Sequence, residues 1–213
     1  MKNLKNNYYI SEIDFQTAMD ILIENHYLHR RAPYSHAYGL FEKDTNKIVG
    51  VINYGVPASS TLLKGICGEA EMHNVYELNR LWVDDDVPKN GESFLIANTM
   101  KLLDKEIVVS FADTSQCHIG IVYQATNFLY TGLSAQFFDY VVKGKEHLHR
   151  STYAYGMTVA DMRKEFGEDN VYKVERPRKH RYIYFNANKK RKKELMKKLK
   201  YKVIPYPSKA KTP

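Results

Sequence analysis

The sequence predicts a mixed α/β fold, a central sheet with helices on both faces. Two observations carry this. Apolar runs of strand length, VYELNRLWV and IVVSFAD, alternate with stretches whose apolar residues recur at helical spacing. That is the pattern of a largely buried sheet covered by its own connections. In addition, no internal repeat marks a solenoid or propeller.

In chain order, Ser11 followed by Asp14 has the form of an N-cap with a short capping box. Phe15, Ala18, Met19, Leu22 and His26 then recur at helical spacing, predicting a helix over 12–29 that Pro33 stops. His26 and His29 fall on its apolar face. Residues 35–42 and 47–56 read as strands joined by the turn Asp44-Thr45-Asn46. Residues 57–74 carry Pro, Ser and Gly with little periodicity and read as a loop. VYELNRLWV, 75–83, is a buried strand, and a polar loop then opens into a helix through about residue 104. IVVSFAD, 107–113, is a second buried strand. A helix is expected over 119–130, closed by Gly132. FFDYVVKG and STYAYGMT read as two further strands, Thr158 with Asp161 opens a short helix to Phe166, RYIYFN is a strand, and 189–200 is a short basic helix.

Composition bounds the function. The 213 residues suit one domain with an extension, and 44% apolar residues suffice for a core. Two cysteines are too few for a disulfide framework or a cysteine zinc site. The start MKNLKNNYYI lacks the apolar stretch of a signal peptide, and no run approaches a membrane span, so a cytoplasmic protein with no membrane partner is expected. Charge is uneven. Residues 1–172 hold 16 Lys/Arg against 22 Asp/Glu, and residues 173–213 hold 16 against 2. This divides the chain into a mildly acidic domain, 1–172, and a basic extension, 173–213. Such asymmetry suits a polyanion, nucleic acid before membrane, or a solvated tail.

Several chemistries have no support. GxxxxGK[ST] and strand-linked GxGxxG are absent, as are the (D/N)PP(Y/F) tetrad and an HxE…PCxxC pair. His147 and His149 flank Leu148 and would share a strand face, but a third metal ligand is not nearby. Asp113 is sharper, because a carboxylate at the C-terminal end of an apolar strand sits where open α/β sheets bind ligands; it would serve equally as a helix N-cap. Arg80, between apolar neighbours, needs a partner, either Asp113 or an anionic substrate group. Asn90, Gly91 and Ser93 stand at a helix N-terminus, which favours an anion.

The order of elements is similar to that of the GNAT acyltransferases, and Asn127, Tyr130 and Gly132-Leu133 resemble the end of that fold's last central helix. HYLHRR, ELNRLWV, PKNGES, SFAD and GIVYQATNFLYTG further resemble the Mom family over roughly residues 22–158, with RYIYF and PYP in the tail. That family consists of phage-associated proteins that convert DNA adenine to N6-carbamoylmethyladenine (momylation) and so hide DNA from restriction. The resemblance implies a GNAT-like sheet and a transferase site containing His26, Tyr27, Arg80, Asp113 and Tyr123. Ser93, Gly91, Asn90 and Tyr130 would face the donor. Asp113 or His26 could accept the N6 proton. Tyr27 and Tyr123 could stack on or hydrogen-bond a flipped purine. Arg30, Arg31, Arg176, Arg178, Lys179, Arg181, Lys189, Lys190 and Arg191 would contact double-stranded DNA. The family pattern leaves the donor open, acetyl-CoA or glycine-derived. A ferrous ion is also open, which His26, His118, Asp113 and Tyr27 have the chemistry to ligate; a homodimer is compatible with the chain.

The pyrophosphate loop (R/Q)xxGx(G/A) is not matched. Its place is taken by DVPKNGES, with one glycine and the acidic Glu92, which would repel a pyrophosphate. Two other readings therefore stand beside the first: an acetyltransferase acting on a protein or small amine, and a non-catalytic DNA-binding protein.

Overall fold

The computed structural model describes residues 3–148 and 150–208. In chain order the elements are α1 (Leu4–Asn7), β1 (Tyr8–Glu12), α2 (Phe15–Asn25), β2 (His36–Glu42), β3 (Ile48–Gly55), α3 (Ser60–Cys67), β4 (Val75–Val83), α4 (Gly91–Thr99) and β5 (Ile107–Asp113). They continue as α5 (Ile121–Ala125), β6 (Leu129–Leu133), β7 (Phe137–Val142), α6 (Arg150–Tyr153), α7 (Val159–Phe166), β8 (Val171–Arg176), β9 (Lys179–Phe185) and α8 (Lys189–Lys198). Seven strands form one mixed sheet in the order β1-β2-β3-β4-β5-β9-β6, in which only β4 and β5 run parallel. The α/β fold with helices on both faces is the one expected.

One face buries Tyr54, Tyr76, Leu78, Val108 and Tyr182 against Leu95 and Ile96 of α4. The other buries Ile107, Val109 and Ile183 under Leu63 and Ile66 of α3 and Leu195 of α8. On that same side α2 lays Ala18, Met19 and Leu22 over Ala37 and Val51. Among the described residues no helix is long and apolar enough to cross a membrane.

Several boundaries differ from expectation. Helix α2 starts three residues late because Asp14, not Ser11, is its N-cap, accepting from the Thr17 amide at 3.0 Å. Ser11 instead lies in β1, a strand that the sequence reading did not assign. The helix stops at His26, so His29 sits beyond it, at φ 43°. Residues 57–74 are not a bare loop. Ser59 caps α3, whose Leu63, Ile66 and Cys67 are buried. The helix expected over 119–130 shrinks to α5, because Asn127 adopts φ 61° and the chain turns into β6 to pair with β9. STYAYGMT is helical at its start rather than a strand; the partner of β7 is β8, a strand missed in the sequence.

β7, α6, α7 and β8 form a small insertion with its own core of Val142, Ala154, Met162 and Val171. The expected division at 172/173 falls inside β8, and beyond it β9 enters the main sheet between β5 and β6. The tail then runs over the β6 edge. Ile204 donates to the Tyr130 carbonyl at 3.0 Å and the Tyr206 hydroxyl to the Phe128 carbonyl at 2.7 Å.

Candidate active site

β4 and β5 pair only from Val75↔Ile107 to Leu78↔Ser110, yet β4 continues to Val83 and β5 to Asp113. Beyond that last pair the parallel strands splay. The opening is a cleft of about 380 Å³, lined by Asn79, Leu81 and Trp82 on one wall and Phe111, Ala112 and Ile119 on the other. A gap at the carboxyl ends of parallel strands is the usual ligand position in an open α/β sheet.

A bulge shapes the β4 wall. In its pairing with β3, Asn53 faces Arg80 and Tyr54 faces Leu78, so Asn79 is the extra residue. An inserted residue reverses the alternation beyond it. Tyr76 and Leu78 before the bulge, and Leu81 and Val83 after it, therefore reach the same core, while Glu77, Arg80 and Trp82 point to the side carrying α2. Asn79 and Asn53 both donate to the Pro33 carbonyl, at 2.9 and 2.8 Å, which pins the segment after α2 against the bulge. Arg80 donates through Nη1 to the Asn79 carbonyl at 2.7 Å. Its buried Nε has no partner among the described residues, and neither has Oδ1 of Asn53 across the pair. Burial lowers the Arg80 pKa, helped by the nearby Arg30 and opposed by Tyr27 and Glu77.

NHYLHRR supplies the lip. The His26 ring stacks on Tyr27 with centroids 4.4 Å apart, and Tyr27 meets His118 edge-on at 5.7 Å. Burial drives the His26 pKa down to about 4, with Arg80, His29 and His118 adding to it, so the ring is neutral at pH 7. Its Nδ1 accepts from the Leu28 amide at 3.2 Å. A neutral imidazole carries one proton, so that bond leaves the proton on Nε2 and makes His26 a donor. Tyr27 is 40% exposed, and burial of the rest of its ring raises its pKa, as does Asp113.

Of the two alternatives read for Asp113, the structure shows the N-cap. It ends β5, next to the cleft-lining Ala112, and caps the turn Thr114–Gln116, where Oδ1 accepts from the Ser115 amide at 3.0 Å and hydroxyl at 2.7 Å. Oδ2 lies 3.4 Å from Lys179 Nζ. Burial would raise its pKa, but the Ser115 bonds and Lys179 outweigh that and hold it below the usual range. No Arg80–Asp113 ion pair is present among the described residues. Tyr123 is buried at the back of the cleft, its ring 5.2 Å from that of Tyr182; burial pushes its hydroxyl up to about 12, so it is a donor, with Ser110 as its hydrogen-bond neighbour. Gly120, at φ 72°, lets this wall approach the Tyr182 ring, where a Cβ would collide.

The expected donor-side residues are arranged differently. Asn90, in a left-handed conformation, and Ser93 line a separate groove between α4 and α5, with the Ser93 hydroxyl turned back on the Asn90 carbonyl at 3.1 Å. Gly91 is buried between them, and the residue of this turn that reaches the cleft is Glu92. Tyr130 lies in β6, its hydroxyl bonded to His180 at 2.7 Å.

Sequence reasoning passed over Glu77. The signal was present, since a carboxylate inside an apolar strand is as anomalous as Arg80 three residues on. Burial raises its pKa, against the pull of Lys179 and Arg80.

The basic residues separate into two groups. Arg176 is held by Asp139 at 2.6 and 2.9 Å, Arg178 by the Ser134 carbonyl at 2.6 Å, and Arg181 lies 3.4 Å above the Tyr201 ring while bonding Thr131. Arg191 pairs with buried Glu71 at 2.7 Å and with Glu106 at 2.9 Å, clamping α8 to the body. Arg30, Arg31, Lys189 and Lys190 are exposed. As for a metal, no group of three or more His, Cys, Asp or Glu converges among the described residues. With His26 Nδ1 and both Asp113 oxygens already engaged, the set read for a ferrous ion does not fit one. His147 lies in a turn after β7, and His149 is outside the described residues.

Residues 7–208 match the model of the Mom protein family. The chain is 32% identical to Methylcarbamoylase mom of Escherichia phage Mu, over 93% of this chain and 83% of that one. Among solved structures it is similar to the spermidine/spermine N-acetyltransferase SpeG of Vibrio cholerae (7% identity, TM-score 0.48, 86% of this chain and 95% of that one). It is also similar to the ribosomal-protein-S5-alanine acetyltransferase of Vibrio fischeri (11%, TM-score 0.47, 86% and 95%).

Proposed function

The chain belongs to the Mom protein family, and on that premise we propose that this transferase attaches a carbamoylmethyl group to N6 of adenine in double-stranded DNA, shielding phage DNA from restriction inside the bacterial host. The observation that carries the reading is the splayed β4–β5 cleft, lined by His26, Tyr27 and Tyr123 from separate stretches of chain, with Arg80 and Asp113 close enough to act electrostatically on Tyr27.

The chemistry fits the target. An adenine must leave the duplex stack to be modified, and the exposed Tyr27 ring, backed by His26, offers a stacking surface at the lip. N6 is a weak nucleophile because its lone pair is delocalised into the ring, so a group must take its proton as the new N–C bond forms. His26 Nε2–H and the Tyr123 hydroxyl are donors suited to acceptor atoms of base or donor. Arg80, with an unspent Nε, suits an anionic part of the donor, a carboxylate or phosphate. The donor stays within the acetyl-derived or glycine-derived classes, and Glu92 at the cleft argues against a pyrophosphate in that place. The exposed lysines of α8 with Arg30 and Arg31 are the phosphate contacts of this reading.

The test is nucleoside mass spectrometry on DNA from bacteria expressing the protein beside an Arg80→Ala version. Adenosine carrying a carbamoylmethyl mass, absent with the variant, supports the reading. Unmodified DNA from well-expressed, folded wild-type protein refutes it.

A further inference from the structure

Resting on that reading, we infer that Glu77 is the catalytic carboxylate that takes the N6 proton, directly or through one water, in place of His26 or Asp113. The step balances simply. The N6 lone pair forms a bond to the electrophilic carbon of an activated two-carbon donor. The bond from that carbon to its leaving group breaks, with its electron pair leaving on that group. One N6 proton passes to a Glu77 oxygen.

Five carboxylate or imidazole groups stand near this end of the sheet: His26, His118 and Glu92 in the lining of the cleft, with Asp113 and Glu77 on β5 and β4, and two of them, His26 and Asp113, are already committed. His26 gives its Nδ1 lone pair to the Leu28 amide, and its other nitrogen bears the proton. Asp113 caps Ser115 with one oxygen and faces Lys179 with the other. Its lowered pKa makes it a poor proton acceptor near neutrality. The Glu77 carboxylate makes no hydrogen bond and no ion pair within 4.0 Å among the described residues.

Its position is set by register. Glu77 pairs with Val109 one step before the last β4–β5 pair, so it sits at the vertex where the strands part. Residues directly opposite share a face; Val109 lies in the core under α3 and α8, so Glu77 points to that side. The bulge at Asn79 brings Arg80 to the same side, near Tyr27. The groups that act on Glu77 are Arg80 on its own strand and Lys179 on β9, both of which favour its charge; it in turn acts electrostatically on Tyr123 of α5, which lines the cleft. Burial is the stronger influence and raises its proton affinity toward working pH.

The experiment compares DNA from cells making equal soluble amounts of wild type, Glu77→Gln and Glu77→Asp, read by nucleoside mass spectrometry. Each protein's melting temperature and duplex binding by fluorescence anisotropy are measured alongside. The expected result is a drop of about 100-fold or more in modified adenosine for Glu77→Gln, partial product for Glu77→Asp, and unchanged melting and binding. Full product from a folded Glu77→Gln, beside a modifying wild type, overturns the inference and leaves the DNA-modification reading standing. Should Glu77→Gln not fold, Glu77→Asp decides in its place. Product at the wild-type level from a folded Glu77→Asp then overturns the inference, and reduced product with unchanged duplex binding supports it. Absence of product from wild type itself removes both.

Discussion

Glu71 sets up a quantitative prediction. The residue is 6% exposed, yet its carboxyl accepts from Arg191 at 2.7 Å and Lys198 at 2.5 Å, tying both ends of α8 to the turn after α3. Burial pushes its pKa up, but the bonds from Lys198, Arg191 and Asn74 prevail and bring it from 4.5 down to about 2. A depression of that size corresponds to about 3 kcal/mol of folding stability. Because the folded value is the lower one, that stability is fully present above about pH 4.5 and is lost as pH falls toward about 2. Glu71→Gln should therefore destabilise the protein by about 3 kcal/mol at pH 7, a fall in Tm of roughly 6–12 °C for a chain of this size. Thermal and urea denaturation followed by circular dichroism from pH 7 to pH 2 measures both effects. The variant should also show a shallower acid dependence between pH 4.5 and 2, since the Glu71 contribution is gone while other depressed carboxylates such as Asp113 remain. A melting temperature within about 1 °C of wild type at pH 7, or an undiminished acid slope, would refute the clamp and return Arg191 to the DNA-contacting set.

Other outcomes follow from the site. Arg80→Met should stay within about 1 kcal/mol of wild type in urea melts, since it removes an incompletely bonded buried charge, while modified adenosine disappears; a large stability loss would mean that Arg80 is structural. The His26 imidazole should remain neutral from about pH 5 to 8 in NMR titrations. Its folded pKa, depressed to about 4 from 6.5, contributes stability present above pH 6.5 and lost as pH falls toward 4; a midpoint near 6.5 would contradict its buried, acceptor-bonded state. Asp113→Ala should cost about 1 kcal/mol by removing the cap on Ser115, measured by urea melts beside Asp113→Asn, which keeps a capping oxygen. Replacing Lys189, Lys190, Lys192 and Lys193 together with Gln should flatten the dependence of log K on log salt by about 0.9 for each phosphate that the variant no longer neutralises. Anisotropy across a salt series reads this, and an unchanged slope places the duplex elsewhere.

Much of the architecture was legible because it is local. β4, β5 and the capping box that opens α7 followed expectation, since strand composition and a Thr-to-Asp reciprocal cap act within a few residues. The failures have equally physical causes. β8 is six residues with one buried side chain, so it carries little pattern of its own and exists through its pairing with β7. α5 ends early because Asn127 accepts a left-handed backbone, and the following segment gains more from pairing with β9 than from continuing the helix. The site was half legible. His26, Tyr27, Arg80, Asp113 and Tyr123 were named from anomalous residue types and the family resemblance; His26, Tyr27 and Tyr123 line the cleft, and Arg80 and Asp113 act electrostatically on Tyr27. Glu77 was missed because an unbroken alternation along β4 would have placed it opposite Arg80.

By itself the sequence determined β4, β5 and several other elements, that the sheet is buried, that basic charge concentrates at the C-terminus, and to which family the chain belongs. Those properties rest on periodicity, composition and short motifs, which need no distant partner. Only the tertiary structure decided that β9 threads between β5 and β6, that Arg191 grips Glu71 rather than standing free for DNA, and that Asn79 bulges so that Glu77 and Arg80 share a face. Each of these depends on strand register and on charges brought together from far apart in the chain, and a one-residue shift in register reverses where every side chain beyond it points.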